Sequence, residues 1–404
     1  MSSDHALGAL SASALAPHYR RFRVTERVLL TGHSHQAWPD VAREGQLAAW
    51  DDAAEHVDDK WGRAFERAER VREGFRARLG GPEGDITLGA NTHELLVRLL
   101  SALPLRQRPR IVTTDGEFHT VRRQLDRLGE EGAELVRVPS LPAETVGERL
   151  LAAIDSRTAL VIVSAVFFDS GRIAGGLDAL AAGAAARGVA LLVDTYHALS
   201  ALPFDTRALG LESAFLVGGG YKYCQLGEGN CFLRTPPNCD LRPVVTGWFA
   251  AFEHLGDRAV PGRPVPYGSG PGARFAGATY DPTSHYRAAR VFEFHDAQGL
   301  TPDRLRALSL RQLDRLVGAL EAHRETTPSP WFPEVPTPET LRGGGAFLVL
   351  ETPRAGELVR ALHRDGVYAD HRGDKLRLGP APYVTVDQLD HAADVLSRAI
   401  RTLS

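Results

Sequence analysis

A lysine flanked by two tyrosines, Tyr221-Lys222-Tyr223, follows three glycines and the apolar run Ala214–Val217. Desolvation in such a setting takes charge off the amine and makes it a nucleophile. Read alone, the same segment is a surface lysine on a flexible turn. Asp194 ends another apolar run, Val189–Val193, and opens Asp194-Thr195-Tyr196-His197. A carboxylate there is costly to bury without a partner, and a cationic ring nitrogen would be one; the plainer reading is a cap on the next turn. Gly89-Ala90-Asn91-Thr92 follows Ile86–Leu88 and opens a helical pattern. Free backbone N–H groups and a hydroxyl there suit a phosphate, although Asn91 or Thr92 could equally be an ordinary N-cap. In Asp115-Gly116-Glu117-Phe118-His119-Thr120, after Arg110–Thr114, Phe118 offers a flat face to an aromatic ring. Ser164 follows Leu160–Val163.

These residues share a position in the chain's rhythm. Short β-like runs at Ile86–Leu88, Arg110–Thr114, Leu135–Pro139, Leu160–Ala165, Ala190–Asp194, Ala214–Val217 and Cys231–Arg234 alternate with helical patterns at His93–Leu103, Thr120–Glu131, Glu144–Ile154 and Leu177–Ala186. Apolar strands without polar alternation predict a mostly parallel sheet covered on both faces. In open α/β sheets ligands bind beyond the C-terminal strand ends, where every residue named above falls. A phosphate cradle, a ring platform, a carboxylate and an amine on one rim are what pyridoxal phosphate requires. Downstream, Pro261–Gly277 is too rich in Gly and Pro for a regular element. A long helical region at Ser284–His323, strands at Ala346–Leu350, Val367–Asp370 and Lys375–Leu378, and a helix at Val386–Leu403 predict a second, smaller α+β unit.

The bulk composition removes several function classes. The chain has 404 residues and a net charge of −3, with Lys and Arg spread along it, so no nucleic-acid partner is expected. Cys224, Cys231 and Cys239 lack zinc spacing and are odd in number, so reduced thiols in a cytoplasmic protein are expected, with no metal. Met1–Pro17 has no basic n-region and reads as no signal peptide. No apolar run of ~20 residues predicts a membrane span.

The order Thr92, Phe118, Asp194-x-x-His197, Tyr221-Lys222 resembles the class V aminotransferase superfamily of fold-type-I enzymes, and within it kynureninase. Val193-Asp194-Thr195-Tyr196-His197-Ala198 is similar to the family's D-x-x-H-A stretch. Gly220-Tyr221-Lys222-Tyr223 with Gly227-x-Gly229 is similar to its S-Y-K-Y…G-x-G block. Thr246-Gly247-Trp248-Phe249 resembles its G-W-F segment, and Arg377-Leu378-Gly379-Pro380-Ala381-Pro382 its R-x-A-P-x-P. The likeness runs from about Leu29 to the C-terminus. It implies the fold-type-I architecture: an N-terminal segment, 1–48, joining the small domain; a large cofactor-binding α/β domain, 49–285, with a mostly parallel seven-stranded sheet; and a small α+β domain, 286–404.

It also implies roles. Lys222 carries pyridoxal 5'-phosphate as a Schiff base and moves the α-proton, Asp194 pairs with the ring nitrogen, and His197 lies beside it. Asn91, Thr92, Thr120, Tyr221 and Ser164 reach the phosphate or the nearby ring oxygen, and Phe118 stacks on the ring. Trp248 and Thr279 close the phosphate side, from this or a neighbouring subunit. Arg377 grips the substrate α-carboxylate. The implied reaction is hydrolytic Cβ–Cγ cleavage of an amino acid through an external aldimine and a quinonoid, with Tyr221 as a proton carrier, in a homodimer with sites at the interface. A β-lyase, an aminotransferase, an epimerase or a catalytically silent relative are the alternatives. A cysteine desulfurase is disfavoured, since no cysteine follows Gly343. The chain departs from the kynureninase pattern at Gly32-His33-Ser34-His35-Gln36 (for G-N-S-L-G), at Val121 (for an acid), at Phe167 (for a histidine) and at Thr279 (for an asparagine). His33, Ser34 and His35 are candidate substrate contacts or acid/base groups, or else a plain loop.

Overall fold

The computed structural model describes residues 9–257, 262–326 and 329–403. Pro261, the start of the expected irregular stretch, and the first eight residues of Met1–Pro17 lie outside the described residues.

Near the N-terminus, β1 (Val28–Leu29) precedes two long helices, Val41–His56 and Lys60–Arg78. The large sheet follows: β2 (Asp85–Gly89), β3 (Arg110–Thr114), β4 (Glu134–Val138), β5 (Thr158–Ser164), β6 (Ala190–Asp194), β7 (Phe215–Gly219) and β8 (Cys231–Thr235). Its order is β2-β8-β7-β6-β5-β3-β4, parallel except for β8, which runs antiparallel to both β2 and β7. Each of the seven apolar runs seen in the sequence is thus a strand, shifted by no more than two residues at either end.

β5 explains the absence of alternation. Every one of its residues is buried. Leu160 and Ile162 pack with Leu95, Leu99 and Ile111 on one face, while Val161 and Val163 pack with Val71, Phe75 and Val193 on the other. A strand covered on both sides needs apolar side chains in both directions. The strand order changes direction between β3 and β5, the kind of switch point where the crevice of a doubly wound sheet opens.

A separate core collects residues from the N-terminal segment, such as Leu15, Tyr19 and Leu30, with Leu313, Leu350, Leu376 and Leu396 near the C-terminus. Here β9 (Leu348–Glu351), β10 (Val367–Tyr368), β11 (Asp370–Arg372) and β12 (Lys375–Leu378) form two small sheets. β10 pairs with β1, and β12 lies between β9 and β11.

Two expectations are corrected. The helical region Ser284–His323 is two helices, Thr283–Gln298 and Pro302–Thr326, because Gly299 ends the first at φ 61° and Pro302 starts the second. The expected strand Val367–Asp370 is split, as the chain leaves β10 at Tyr368 and enters β11, in another sheet, at Asp370. Among the described residues no helix is long and apolar enough to cross a membrane, and no His, Cys, Asp or Glu cluster is placed to hold a metal ion.

Candidate active site

Beyond the C-terminal ends of β3, β5, β6 and β7 lies a cavity of about 250 Å3. Of the residues singled out from the sequence, Asn91, Thr92, Phe118, Thr120, Ser164, Asp194, His197, Tyr221 and Lys222 all line it. Lys222 sits three residues after β7 and is 6% exposed. Its Nζ is 2.6 Å from His197 Nε2, 4.7 Å from the centre of the Tyr196 ring and 5.5 Å from that of Phe118. Burial drives the Lys222 pKa down to about 7; Asp194 opposes the shift and Arg377 adds to it. Burial also holds His197 far below the ordinary imidazole range, with the Lys222 charge adding to the effect. The neutral ring accepts the amine's hydrogen bond at Nε2, and its buried Nδ1 has no partner among the described residues.

Asp194 ends β6 beside Ser164, its register partner on β5. Burial raises its pKa, whereas the Tyr196 amide, donating to Oδ1 at 2.8 Å, and the charge of Lys222 pull it down. The carboxylate and the amine therefore each favour the other's ionised form in a buried setting. That is the physical content of their pairing.

The second carboxyl at this rim, Glu117, went unremarked in the sequence beside Phe118. It is 2% exposed. Thr114 Oγ1 donates to its Oε1 at 2.7 Å, the Ser164 amide to Oε1 at 3.2 Å and Ser164 Oγ to Oε2 at 2.6 Å. Burial lifts its pKa to about 7, with Asp194 also pushing upward against these three hydrogen bonds. Ser164 is thus committed to Glu117. Asn91 is likewise committed, as the N-cap of the helix Thr92–Ala102, accepting from the Glu94 amide at 2.9 Å.

The glycines before Lys222 serve packing. A Cβ on Gly219 would lie 2.4 Å from the Tyr196 hydroxyl and 2.5 Å from Cys231 Sγ, and one on Gly220 would lie 2.3 Å from Leu226. Side chains of the protein itself fill the space that a larger residue would need at these positions.

Other expected residues lie elsewhere. Trp248 Nε1 donates to Thr279 Oγ1 at 3.3 Å, but neither lines the Lys222 cavity. Thr279 lines an adjoining cavity of about 740 Å3 that shares Ala90, Glu228 and Gly229 with the first. Trp248 is 44% exposed and stacks on Phe252 at 5.5 Å. Arg377 and His33 are buried, do not line the cavity and are both bonded to Asp370. Ser34 Oγ lies 3.2 Å from His35 Nδ1, and the His35 ring stacks on Tyr221 at 4.7 Å. Asp370 gave no signal in the sequence, because its role depends on a cross-strand neighbour that spacing alone does not identify.

No family model matches the chain. A Bacillus subtilis (strain 168) protein described as "uncharacterized aminotransferase YcbU" is 25% identical over 191 residues, 47% of this chain and 50% of that one. The match therefore spans about half the length of that curated relative. Among solved structures, a mutant of C-DES with glycine covalently linked to its PLP cofactor superposes with a TM-score of 0.80 at 16% identity, covering 94% of this chain and 98% of that one. The cysteine desulfurase CsdA from Escherichia coli gives 0.79 at 16% identity, covering 98% and 100%. C-DES described as a cystine C–S lyase, in complex with cysteine persulfide, gives 0.76 at 18% identity, covering 93% and 98%. By architecture, strand order and near-complete superposition, the chain has the fold of the fold-type-I, pyridoxal-phosphate-dependent enzymes.

Proposed function

We propose that this chain is a pyridoxal-phosphate-dependent enzyme acting on an amino acid, with the cofactor carried covalently by Lys222. The observation that carries the reading is a buried amine with its pKa lowered to about 7, in one cavity with a half-buried carboxylate that its charge stabilises. The donor set fits the group: Lys222 for the aldehyde carbon, Asp194 for the ring nitrogen, Phe118 for the ring face, and Thr92 and Thr120 at two helix N-termini for the phosphate. When bound, the cofactor supplies an electron sink for the carbon bearing the substrate amine.

The chain's own residues do the rest. Asp194 keeps a nearby ring nitrogen protonated. The Lys222 amine, near neutrality in its own right, takes and returns a proton at Nζ. His197 holds that amine by a 2.6 Å hydrogen bond. Burial pushes the Tyr221 hydroxyl up to about 12, so at neutral pH it acts as a proton donor rather than a base. Arg377 receives the substrate α-carboxylate.

The reaction we assign is kynureninase-like hydrolysis of a Cβ–Cγ bond, on the strength of the motif order from Asp194 to Arg377. A second reading, elimination at a Cβ–S bond, is favoured by the full-length likeness to C-DES, described as a cystine C–S lyase. Sulfur transfer to a mobile cysteine is not favoured, since Cys224 and Cys231 are buried and Cys239 is half-buried. The working form is a homodimer, and an exposed apolar surface carrying Trp248, Phe252 and Val245 supports this.

The test is reconstitution with pyridoxal phosphate. The expected outcome is a yellow protein whose absorbance band borohydride removes, leaving a reduced adduct on Lys222. Kynurenine, 3-hydroxykynurenine and cystine are then offered. Alanine release supports hydrolysis, pyruvate supports elimination, and the keto acid of the intact substrate supports transamination. Lys222→Ala should abolish turnover. A protein that takes up no cofactor, or a fully active Lys222→Ala variant, would overturn the proposal.

A further inference from the structure

Arg377 already holds a carboxylate, and it comes from its own chain. Asp370 on β11 and Arg377 on β12 are register partners. Arg377 Nε donates to Asp370 Oδ1 at 2.8 Å and Nη2 to Oδ2 at 2.5 Å, while Nη1 donates to the Phe168 carbonyl at 2.7 Å. Asp370 therefore fills the Nε/Nη2 edge and the Phe168 carbonyl takes one prong of the Nη1/Nη2 edge, so neither two-pronged edge is free for a substrate carboxylate. Phe168 lines the Lys222 cavity, whereas Arg377, 3% exposed, does not.

Asp370 is the member of the pair that can leave. Its side chain is 22% exposed, and it opens a three-residue strand at the edge of its sheet, paired on one side only. It would not be left alone on leaving. His33 Nε2 is 2.8 Å from its Oδ1, and Arg372 Nη2 is 3.9 Å from its Oδ2.

We propose that Asp370 is an internal stand-in for the substrate's carboxylate, which a bound amino acid must displace from Arg377. This rests on the reading above that Arg377 is the carboxylate seat. Two carboxylates cannot share one edge of a guanidinium, so binding is an exchange. The tethered group competes at high effective concentration and lowers affinity for every carboxylate ligand. An amino acid opens the pair because it is also anchored at the Lys222 end. A simple acid has no such second hold. Asp370 thereby selects for ligands that carry both groups.

The experiment uses the reconstituted holoenzyme and follows cofactor absorbance during titration with L-alanine and with ethylamine, which lacks the carboxylate. Removing Asp370 leaves Arg377 buried without a carboxylate partner, so Asp370→Asn and Asp370→Ala should bind L-alanine about tenfold or more tightly than the wild type, with ethylamine unchanged. Weaker or equal L-alanine binding in the variants would make Asp370 an orienting partner of Arg377 and overturn the proposal. Should neither variant fold, the wild type decides. L-Alanine binding no more than about tenfold tighter than ethylamine supports a blocked seat, whereas a preference of about a hundredfold or more would show an open one and overturn it. Arg377→Ala separates this from failure of the reading beneath. Unchanged L-alanine binding there removes the carboxylate seat itself, and no absorbance response to either ligand in any form removes the amino-acid reading together with the stand-in.

Discussion

At the scale of single residues, two titrating groups set the chemistry of the rim. In the cofactor-free chain the Lys222 amine should react with an amine-selective reagent along a curve with its midpoint near pH 7, because its pKa is lowered from 10.5 to about 7. Asp194→Asn removes the carboxylate that does most to hold that pKa up, with Asp370 contributing less, so the midpoint should move to lower pH. Mapping the labelled lysine against pH checks both. Glu117 offers a second reading of the same electrostatics. Its folded-state pKa is raised, so its contribution to stability is fully present below pH 4.5 and is lost as pH rises through about 7. A shift from 4.5 to about 7 on a group this buried corresponds to roughly 3 kcal/mol. Glu117→Gln should therefore melt close to the wild type at pH 4.5 and above it at pH 8. A melting-temperature difference that does not change with pH would count against a protonated Glu117.

At the scale of elements, the helices that support the sheet are set by close contacts as well as by apolar stripes. The helix Val41–His56 crosses Thr283–Gln298 at Gly45, where a Cβ would lie 2.5 Å from the Tyr286 carbonyl oxygen and 2.8 Å from the Arg287 Cα. Backbone cannot move aside as a side-chain tip can. Gly45→Ala should cost about 1–3 kcal/mol despite the better helix propensity of alanine, read as a lowered urea midpoint. Arg287, on the second helix, donates from Nε to the Leu226 carbonyl at 2.7 Å, just past the Lys222 loop. Separation of the two helices should therefore also weaken cofactor retention.

At the scale of the whole molecule, the exposed aromatic surface is where the proposed homodimer would meet. Trp61, Phe65, Phe249 and Phe252 pack edge to face near Trp248, and Trp248, Phe252, Val244 and Val245 are all exposed. A contiguous patch of large apolar groups is characteristic of interaction surfaces. In the proposed homodimer, Phe252→Glu should shift the sedimentation coefficient to that of a monomer and loosen pyridoxal phosphate. A Phe252→Glu protein that remains dimeric would place the interface elsewhere.

The sequence by itself determined the seven strands, their largely parallel arrangement and the residues at their C-terminal ends. Doubly buried strands and strand-end polar residues are local patterns that survive without coordinates. The nearness of Lys222 to Asp194 and Phe118 could be anticipated because the connection rules of an α/β sheet place consecutive strand ends on one rim. Only the tertiary structure decided what those side chains bond to. Ser164 is turned to Glu117, Asn91 to its own helix, the glycines to Tyr196 and Leu226, and Arg377 to Asp370. Each of these depends on a through-space partner, or on a choice among hydrogen-bonding options that spacing leaves open. Burial made the choice, because polar groups taken from water must find partners within reach.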